Sequence, residues 1–152
     1  MIKGLHHVAI CTKNLDRLMA FYRDNFGLKV VYQRETPTEP NPASDAIFGL
    51  KGVSFRMAML KSSNVFIEMF QFATPPGKDG DPRRPVVDAG ITHTCFTVTD
   101  IQAEYDRLKA AGMVFHCPPQ VRPGIGKATY GRDPDGNVIE LIETDPECPF
   151  AA

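Results

Sequence analysis

Two histidines and two glutamates occupy equivalent places in two related halves of the chain. His7 lies in LHHVAI and His93 in ITHTCF, while Glu68 lies in NVFIEMFQ and Glu140 in GNVIELIE. Imidazole nitrogen and carboxylate oxygen together suit Zn²⁺, Ni²⁺, Co²⁺, Mn²⁺ or Fe²⁺. The four residues therefore predict one site for a single divalent ion, with open positions where a substrate or water can bind a Lewis acid.

Each of these residues has a simpler interpretation when it is taken alone. A lone glutamate in a strand commonly lies on a solvent face, and a lone histidine is commonly satisfied within the core. However, an ionised glutamate among apolar neighbours is costly unless something pairs with it, and Glu68 and Glu140 share this environment. The symmetric occurrence of both residue types favours the metal site. His6 is interpreted as a surface or supporting histidine, and His116 is expected to face solvent or a loop.

The elements that must position these residues repeat along the chain, and a repeat takes precedence in assigning a fold. Each half starts with a strand that bears a histidine, at residues 5–11 and 91–98. Alternate side chains of a strand share a face, so Cys11 lies on the face of His7 and Cys95 on the face of His93. Both cysteines are therefore candidates for contact with a substrate.

A capped helix follows each histidine strand. Asn14 and Asp100 are candidate N-caps, because their side chains accept an unpaired backbone N–H, and Gly27 ends the first helical pattern. The pattern predicts one helix and four strands in each module, at about residues 5–72 and 91–144. The fold class is therefore α+β. Residues 1–152 are predicted to form a single domain because one module alone buries too little surface, and residues 73–88 are the linker.

Two further segments lie beside the predicted site. Residues 133–136, DPDG, have the composition of a tight turn that leads into the strand of Glu140. Glu68 follows His7 by 61 residues, whereas Glu140 follows its histidine by 47. The extra length corresponds to residues 35–45, whose three prolines exclude a central strand and a helix interior. This loop is either a lid beside the site or a neutral surface excursion.

The composition of the chain limits the classes of partner. A length of 152 residues suits one domain, and a net charge of -1 gives no electrostatic reason to expect nucleic acid. The apolar runs are of strand length, so no segment is expected to span a membrane. No signal peptide is recognised and the four scattered cysteines are expected to be reduced thiols, so a cytoplasmic location is predicted.

The order of the segments HHVAI, FYRDNFGL, GITHTCFTV and DPDGNVIELIE resembles the vicinal oxygen chelate superfamily of glyoxalases, bleomycin-resistance proteins and extradiol dioxygenases. The resemblance extends over about residues 5–143. It implies paired βαβββ modules in an eight-stranded, cupped mixed sheet around one metal site. It also implies a small-molecule substrate and a homodimer. The residues it assigns to the ion are His7, Glu68, His93 and Glu140.

The resemblance leaves the reaction open among several classes. The predicted ligands look most like those of bacterial lactoylglutathione lyase, but the two positions that hold glutathione there are Cys11 and Phe72 here. Methylmalonyl-CoA epimerases are similar, but their catalytic glutamate aligns near Arg56. Extradiol dioxygenases share the tyrosine, turn and glutamate of residues 130–140. They also need a histidine shortly before the tyrosine, and residues 121–129 contain none.

The sequence therefore predicts metal-dependent proton transfer next to a carbonyl of a small oxygenated substrate, by an isomerase, an epimerase or a glyoxalase-type lyase. Glu68 or Glu140 is the predicted base, and Glu140 is preferred because the preceding turn should hold its strand firmly. Arg56 is predicted to contact a substrate carboxylate or phosphate, and Tyr130 is an alternative proton carrier. The alternatives are an extradiol-type ring-cleaving dioxygenase and a non-catalytic module that binds a small molecule such as an antibiotic.

Overall fold

The structure, a computed structural model, describes residues 1–151, and its contacts divide the chain into two compact units. The first unit is Met1–Asp79, and the second begins at Gly80. The strands of each predicted module fall within one unit and form a mixed sheet of their own. The boundary between the units lies inside the segment 73–88 that was predicted to be the linker.

The first unit contains four strands and two helices. Its elements are β1 (His7–Cys11), α1 (Leu15–Phe26), β2 (Lys29–Arg34), α2 (Pro42–Phe48), β3 (Ser54–Lys61) and β4 (Phe66–Thr74). The strand order is β1-β4-β3-β2. The first and last strands of the unit pair in parallel, and the other pairs are antiparallel. The histidine strand and the glutamate strand are therefore direct neighbours.

Helix α1 forms where the sequence predicts it. The side chain of Asn14 accepts a hydrogen bond from the backbone N–H of Arg17, and Gly27 ends the helix with a left-handed φ of 67°. The apolar stripe of the helix packs on the sheet, with Leu18 and Tyr22 fully buried. Burying side chains of this size contributes about 1.5–3 kcal/mol each, so the stripe fixes which face of the sheet the helix covers.

Helix α2 corrects the prediction that residues 35–45 are a loop without a helix. The helix begins at Pro42 after the N-cap Asn41, whose side chain accepts from the N–H of Ser44. Proline is tolerated in the first turn because its missing N–H would be unpaired there in any case. The Asp45 carboxylate then accepts hydrogen bonds from the N–H groups of the loop after the helix. These bonds hold the pKa of Asp45 below its ordinary value.

The second unit repeats the plan with one extra strand. Its elements are β5 (His93–Thr97), α3 (Ile101–Ala110), β6 (Val114–Phe115), β7 (Gln120–Arg122), β8 (Gly126–Arg132) and β9 (Val138–Thr144). The strand order is β5-β9-β8-β6, and β7 also pairs with β8. The described residues thus contain nine strands, one more than the eight predicted. The additional strand is β7, which lies in a proline- and glycine-rich segment.

The DPDG turn positions the glutamate strand of the second unit. Asp133 accepts hydrogen bonds from the backbone N–H groups of Asp135 and Asn137, both at 2.9 Å. Gly136 has a φ of 87°, and a Cβ there would collide with Pro82, so the turn requires glycine. The following strand β9 is buried from Val138 to Ile142. The turn therefore delivers Glu140 into the interior of the unit.

The elements confirm the predicted α+β class. Both units place a histidine strand beside a glutamate strand in parallel, with Ala9 opposite Glu68 and Cys95 opposite Glu140. Within residues 1–151, no helix has the length and apolar character needed to cross a membrane. The four cysteines are free thiols in the structure.

Candidate metal and substrate site

The first pair, His7 and Glu68, lies in the first unit. The parallel register places Ala9 opposite Glu68, and His7 lies two residues before Ala9, so both site residues share one face of the sheet. His7 Nε2 is 3.2 Å from Glu68 Oε2. A nitrogen lone pair and a carboxylate oxygen repel each other at this distance unless a proton or a cation lies between them. The first pair can therefore hold either a hydrogen bond from the imidazole or a cation bound by both atoms.

His6 contacts the other nitrogen of this imidazole. The Nδ1 atoms of His6 and His7 are 2.8 Å apart, and the His6 ring stacks on Phe66. One of the two Nδ1 atoms must carry the hydrogen. A hydrogen on His7 Nδ1 leaves the lone pair of Nε2 directed at Glu68, which is the tautomer that a metal ligand needs. His6 thus supports the first pair without facing Glu68.

The second pair, His93 and Glu140, has the same arrangement in the second unit. His93 Nε2 is 3.0 Å from Glu140 Oε2, and the Glu140 side chain is only 8% exposed. No histidine supports this pair as His6 supports His7, because His93 Nδ1 is buried without a hydrogen-bond partner. In both pairs, the imidazole Nε2 contacts the carboxylate at a similar distance. The pairs differ in the partner of the other ring nitrogen, Nδ1.

Two protonated donors flank the second pair. Tyr130 lies opposite Glu140 in the sheet register, and its ring centroid is 5.0 Å from that of His93. Burial, together with the charge of Glu140, raises the pKa of Tyr130. Burial also raises the pKa of the Cys95 thiol to about 12, and the carboxylate of Glu140 adds to this shift. Both groups therefore keep their protons at neutral pH and can donate hydrogen bonds.

A cavity of about 360 Å³ opens beside Glu140 within the second unit. Its lining includes His116, Arg122, Tyr130 and Glu140. His116 is exposed in the loop after β6, as predicted, and it also lines the cavity, where its ring lies 6.3 Å from that of Tyr130. Burial and the charge of Arg132 lower the pKa of His116, so the imidazole is neutral at pH 7.

Sequence reasoning also missed Arg122. This residue ends β7, where the register places it opposite Gly126 and places Gln120 opposite Ala128. Because Ala128 and Tyr130 are alternate residues of β8, the side chain of Arg122 shares their face of the sheet. Its Nη1 atom is 4.0 Å from Glu140 Oε1. The alternate polar residues Gln120 and Arg122 could have indicated one face of a strand. The surrounding prolines and glycines instead favoured the prediction of a loop.

The structure places Arg56 away from Glu68. In the register of β3 and β4, Arg56 lies opposite Gln71, whereas Met59 lies opposite Glu68, so Arg56 is on the α1 side of the sheet. Its guanidinium makes two hydrogen bonds to the Asp16 carboxylate, at 2.8 and 3.1 Å. This pairing raises the pKa of Arg56 and engages both of its terminal nitrogens. Its position does not support the predicted contact with a substrate anion.

Aromatic side chains fill the face of the first unit that carries Glu68. Phe55, Phe70 and Phe72 pack together there, and Phe48 of α2 adds edge-on contacts to all three at 5.3–5.6 Å. Cys11 is on the same face, opposite Phe70, and burial raises the pKa of its thiol. The insertion that contains α2 thus packs onto the face that bears the predicted ligand, instead of extending into solvent.

The donor types fit a divalent cation, with two donors in each pair. Imidazole nitrogen and carboxylate oxygen are the usual ligands of Zn²⁺, Mn²⁺ and Fe²⁺ sites. Across residues 1–151, no three His, Cys, Asp or Glu side chains lie close enough together to form a cation site. An open catalytic site commonly uses three protein ligands. One pair alone therefore has fewer donors than such a site uses.

The repeated module and the repeated His–Glu pair define a glyoxalase-like protein. Residues 4–141 match the family model of the Glyoxalase/Bleomycin resistance protein/Dioxygenase superfamily. The chain therefore belongs to this superfamily, as its sequence motifs predict.

Relatives of similar length support this assignment. The chain is 28% identical to the uncharacterized protein YwkD of Bacillus subtilis, over 94% of this chain and 98% of YwkD. It is 30% identical to biphenyl-2,3-diol 1,2-dioxygenase 3 of Rhodococcus globerulus, over 90% of this chain but only 61% of the dioxygenase. A crystal structure of a glyoxalase family protein from Bacillus cereus matches with a TM-score of 0.84 at 24% identity, covering 95% of each chain.

Other relatives carry names of several different activities. They include the lactoylglutathione lyase GLX1 of Arabidopsis thaliana, of which the chain spans 44%, and the 2-epi-5-epi-valiolone epimerase of an Actinomyces species. The fold is also that of the fosfomycin resistance protein FosX of Listeria monocytogenes, with a TM-score of 0.65. The superfamily thus includes lyases, epimerases, dioxygenases and resistance enzymes.

Proposed function

We propose that the protein is a metal-dependent enzyme that transfers a proton next to a carbonyl of a small oxygenated substrate, as an isomerase, epimerase or glyoxalase-type lyase. One observation carries the proposal. The His–Glu pair occurs twice at equivalent positions, with nitrogen–oxygen distances of 3.2 and 3.0 Å. Two independent apolar strands each carry a carboxylate directed at an imidazole, and this repeated set of donors supports binding of a cation.

The proposed cofactor is one divalent ion per chain, bound by His7, Glu68, His93 and Glu140. Such an ion supplies a Lewis acid that stabilises negative charge developing on a substrate oxygen. The donor set supports this proposal, as does the crystal structure of FosX, which is described as a complex with Mn(II). We also propose a homodimer and a cytoplasmic location, which sedimentation and fractionation of the protein will test.

The residues around the second pair have distinct proposed roles. A carboxylate accepts the proton from the substrate carbon, and we assign this role to Glu140 or Glu68. Glu140 is preferred because the hydrogen-bonded turn at Asp133 holds its strand. Tyr130 and Cys95 keep their protons, so each supplies a hydrogen bond to a substrate oxygen. The names of the lyase and epimerase relatives support proton transfer as the reaction class.

The decisive experiment measures exchange of a substrate α-hydrogen with solvent deuterium by NMR, with and without added divalent metal. Glu140→Gln and Glu68→Gln are the test variants, because glutamine keeps an oxygen ligand but does not readily accept a proton. The catalytic position should retain its metal and lose about 10²–10⁴-fold in exchange rate. Glu143→Gln is a matched control, because Glu143 lies on the other face of the same strand and pairs with Lys127.

The results separate the possible roles of the carboxylates. Metal-dependent exchange that is lost in one glutamine variant and kept in Glu143→Gln supports the proposal and identifies the base. If both test variants bind metal and exchange at the wild-type rate, neither carboxylate is the base, and Tyr130 becomes the next candidate. A ligand that is recovered unchanged and shows no exchange indicates the non-catalytic binding module instead.

A second candidate function is ring cleavage of a catechol by an extradiol-type dioxygenase. The 30% identity to biphenyl-2,3-diol 1,2-dioxygenase 3 favours it. The structure adds a relevant observation, because His116 donates its backbone N–H to the carbonyl of Tyr130 and its ring lies near the tyrosine ring. Although no histidine lies shortly before Tyr130 in the sequence, the more distant His116 is beside it in space. Dioxygen uptake by the Fe²⁺-loaded protein with catechol distinguishes this reaction from proton transfer.

A further inference from the structure

The cavity beside Glu140 contains one carboxylate and one guanidinium among its lining residues, those of Glu140 and Arg122. The remaining polar groups of the lining are neutral side chains such as Gln120 and Tyr130. Two opposite charges therefore set the electrostatic potential of this cavity. Whether the cavity favours an anionic ligand depends on whether the negative charge of Glu140 still compensates the positive charge of Arg122 when a metal ion is bound.

Arg122 differs from Arg56 and Arg132 in the donors that the fold leaves available. Arg56 is bound to Asp16, and Arg132 donates to the backbone carbonyls of Gly136 and Arg84 at 2.7 and 2.8 Å. In contrast, within residues 1–151 the one ion pair of the Arg122 side chain is the 4.0 Å approach to Glu140, and this side chain is 52% exposed. A half-exposed pair at this distance contributes little to stability, about 0–1 kcal/mol.

The proposed function removes this compensation, and the inference rests on it. If Glu68 and Glu140 bind a divalent ion, their two negative charges balance the charge of the ion, and Glu140 no longer compensates Arg122. The guanidinium is then the uncompensated charge of a partly enclosed cavity. An anionic ligand compensates this charge, whereas a neutral ligand does not.

We infer that the substrate carries a carboxylate or phosphate group, separate from the oxygens that meet the ion, and that Arg122 binds this group in the cavity. The planar guanidinium presents paired donors that match either anion in a bidentate arrangement. The cavity of about 360 Å³ is at the lower end of small-molecule sites. The substrate class is therefore a small anionic oxo or hydroxy compound.

The test compares probes that differ only in charge. Dihydroxyacetone phosphate is compared with dihydroxyacetone, and glycerate with glyceramide, by isothermal titration of the Mn²⁺-loaded and metal-free protein. We expect each anionic probe to bind at least about tenfold more tightly than its neutral partner. Arg122→Gln should weaken binding of the anionic probes about 10–100-fold, the scale of a charge-assisted hydrogen bond, and leave the neutral probes unchanged. The two pairs of probes show whether the cavity prefers phosphate or carboxylate.

Two further variants exclude a general effect of charge or folding. Lys127→Gln removes the same charge from the neighbouring strand, on the opposite face, at a side chain that is 54% exposed, and it should keep the preference. Arg122→Lys should retain part of the preference for anionic probes that Arg122→Gln loses. A preference that survives in Arg122→Gln, or is absent from the wild type, overturns the inference. Because Mn²⁺ binding is measured in the same titrations, a protein that binds no metal identifies a failure of the proposed function instead.

Discussion

The arrangement of the two pairs predicts how metal binding responds when one histidine is removed. Structural zinc sites with four protein ligands have apparent binding free energies of about 10–16 kcal/mol, or about 2.5–4 kcal/mol per ligand. His7→Ala should therefore raise the dissociation constant about 10²–10³-fold. If one ion is shared by both pairs, His93→Ala should have the same effect, because each variant removes one of the same four donors.

The loss of metal affinity can be measured as a change in thermal stability, without any assay of activity. An ion present at 1,000 times its dissociation constant stabilises the folded state by about 4 kcal/mol. For a chain of this length, that corresponds to a rise in Tm of about 8–16 °C. Each histidine variant should lose most of this rise at the same metal concentration. His116→Ala is the control, because His116 lines the cavity but belongs to neither pair, and it should keep the full rise.

The stoichiometry of binding decides between one shared ion and two separate ones. Equilibrium dialysis with elemental analysis should find about one ion per chain in the wild type and almost none in either histidine variant at matched concentration. Two ions per chain in the wild type, with one retained in each variant, would refute the shared site. Full occupancy in the double variant His7→Ala/Glu140→Ala would refute the assignment of the ligands altogether.

Three further changes test other features of the structure. His6→Phe should weaken metal binding about 10–100-fold by calorimetry, because the contact at 2.8 Å orients His7, and an intact affinity would exclude this supporting role. Gly126→Ala should lower the free energy of urea unfolding by about 3 kcal/mol or more, because its φ is 132° and a Cβ would collide with the carbonyl of Glu143. Asp45→Asn should lower Tm at pH 7. The depressed pKa of Asp45 stabilises the fold at pH values above its ordinary pKa near 4, and this stabilisation is lost as the pH falls through the lowered pKa of the folded state, so the difference in Tm should shrink as the pH is lowered below about 4.

The sequence predicted the features that depend on local chemistry and on the repeat. The caps at Asn14 and Asp100 need only a side chain that reaches the next turn, and both are present. The repeat predicted a histidine strand and a glutamate strand in each half, and the structure contains both in each unit. Helix α2 was missed because residues 35–45 contain three prolines, which favour a loop. Pro42 lies in the first turn of the helix, where proline is tolerated.

Features that depend on strand pairing were not accessible from the sequence. Whether Arg56 meets Glu68 or Asp16 depends on which face of β3 it occupies, and only the register with β4 decides this. Arg122 and His116 reach the cavity because β6 and β7 both pair with β8. Those contacts join residues that are distant in sequence and are formed by a strand of only three residues. No local pattern specifies them.

The two halves of the chain also differ in how readily they can be redesigned. Around Glu68, four phenylalanines pack against one another, so a change at one of them disturbs its neighbours and the stability of the unit. Around Glu140, Gln120 and Arg122 are exposed residues of a short strand that line the cavity. A library that varies these two positions together with His116 would alter ligand selectivity at little cost in stability. The second half is thus the place to begin directed evolution of a new substrate range.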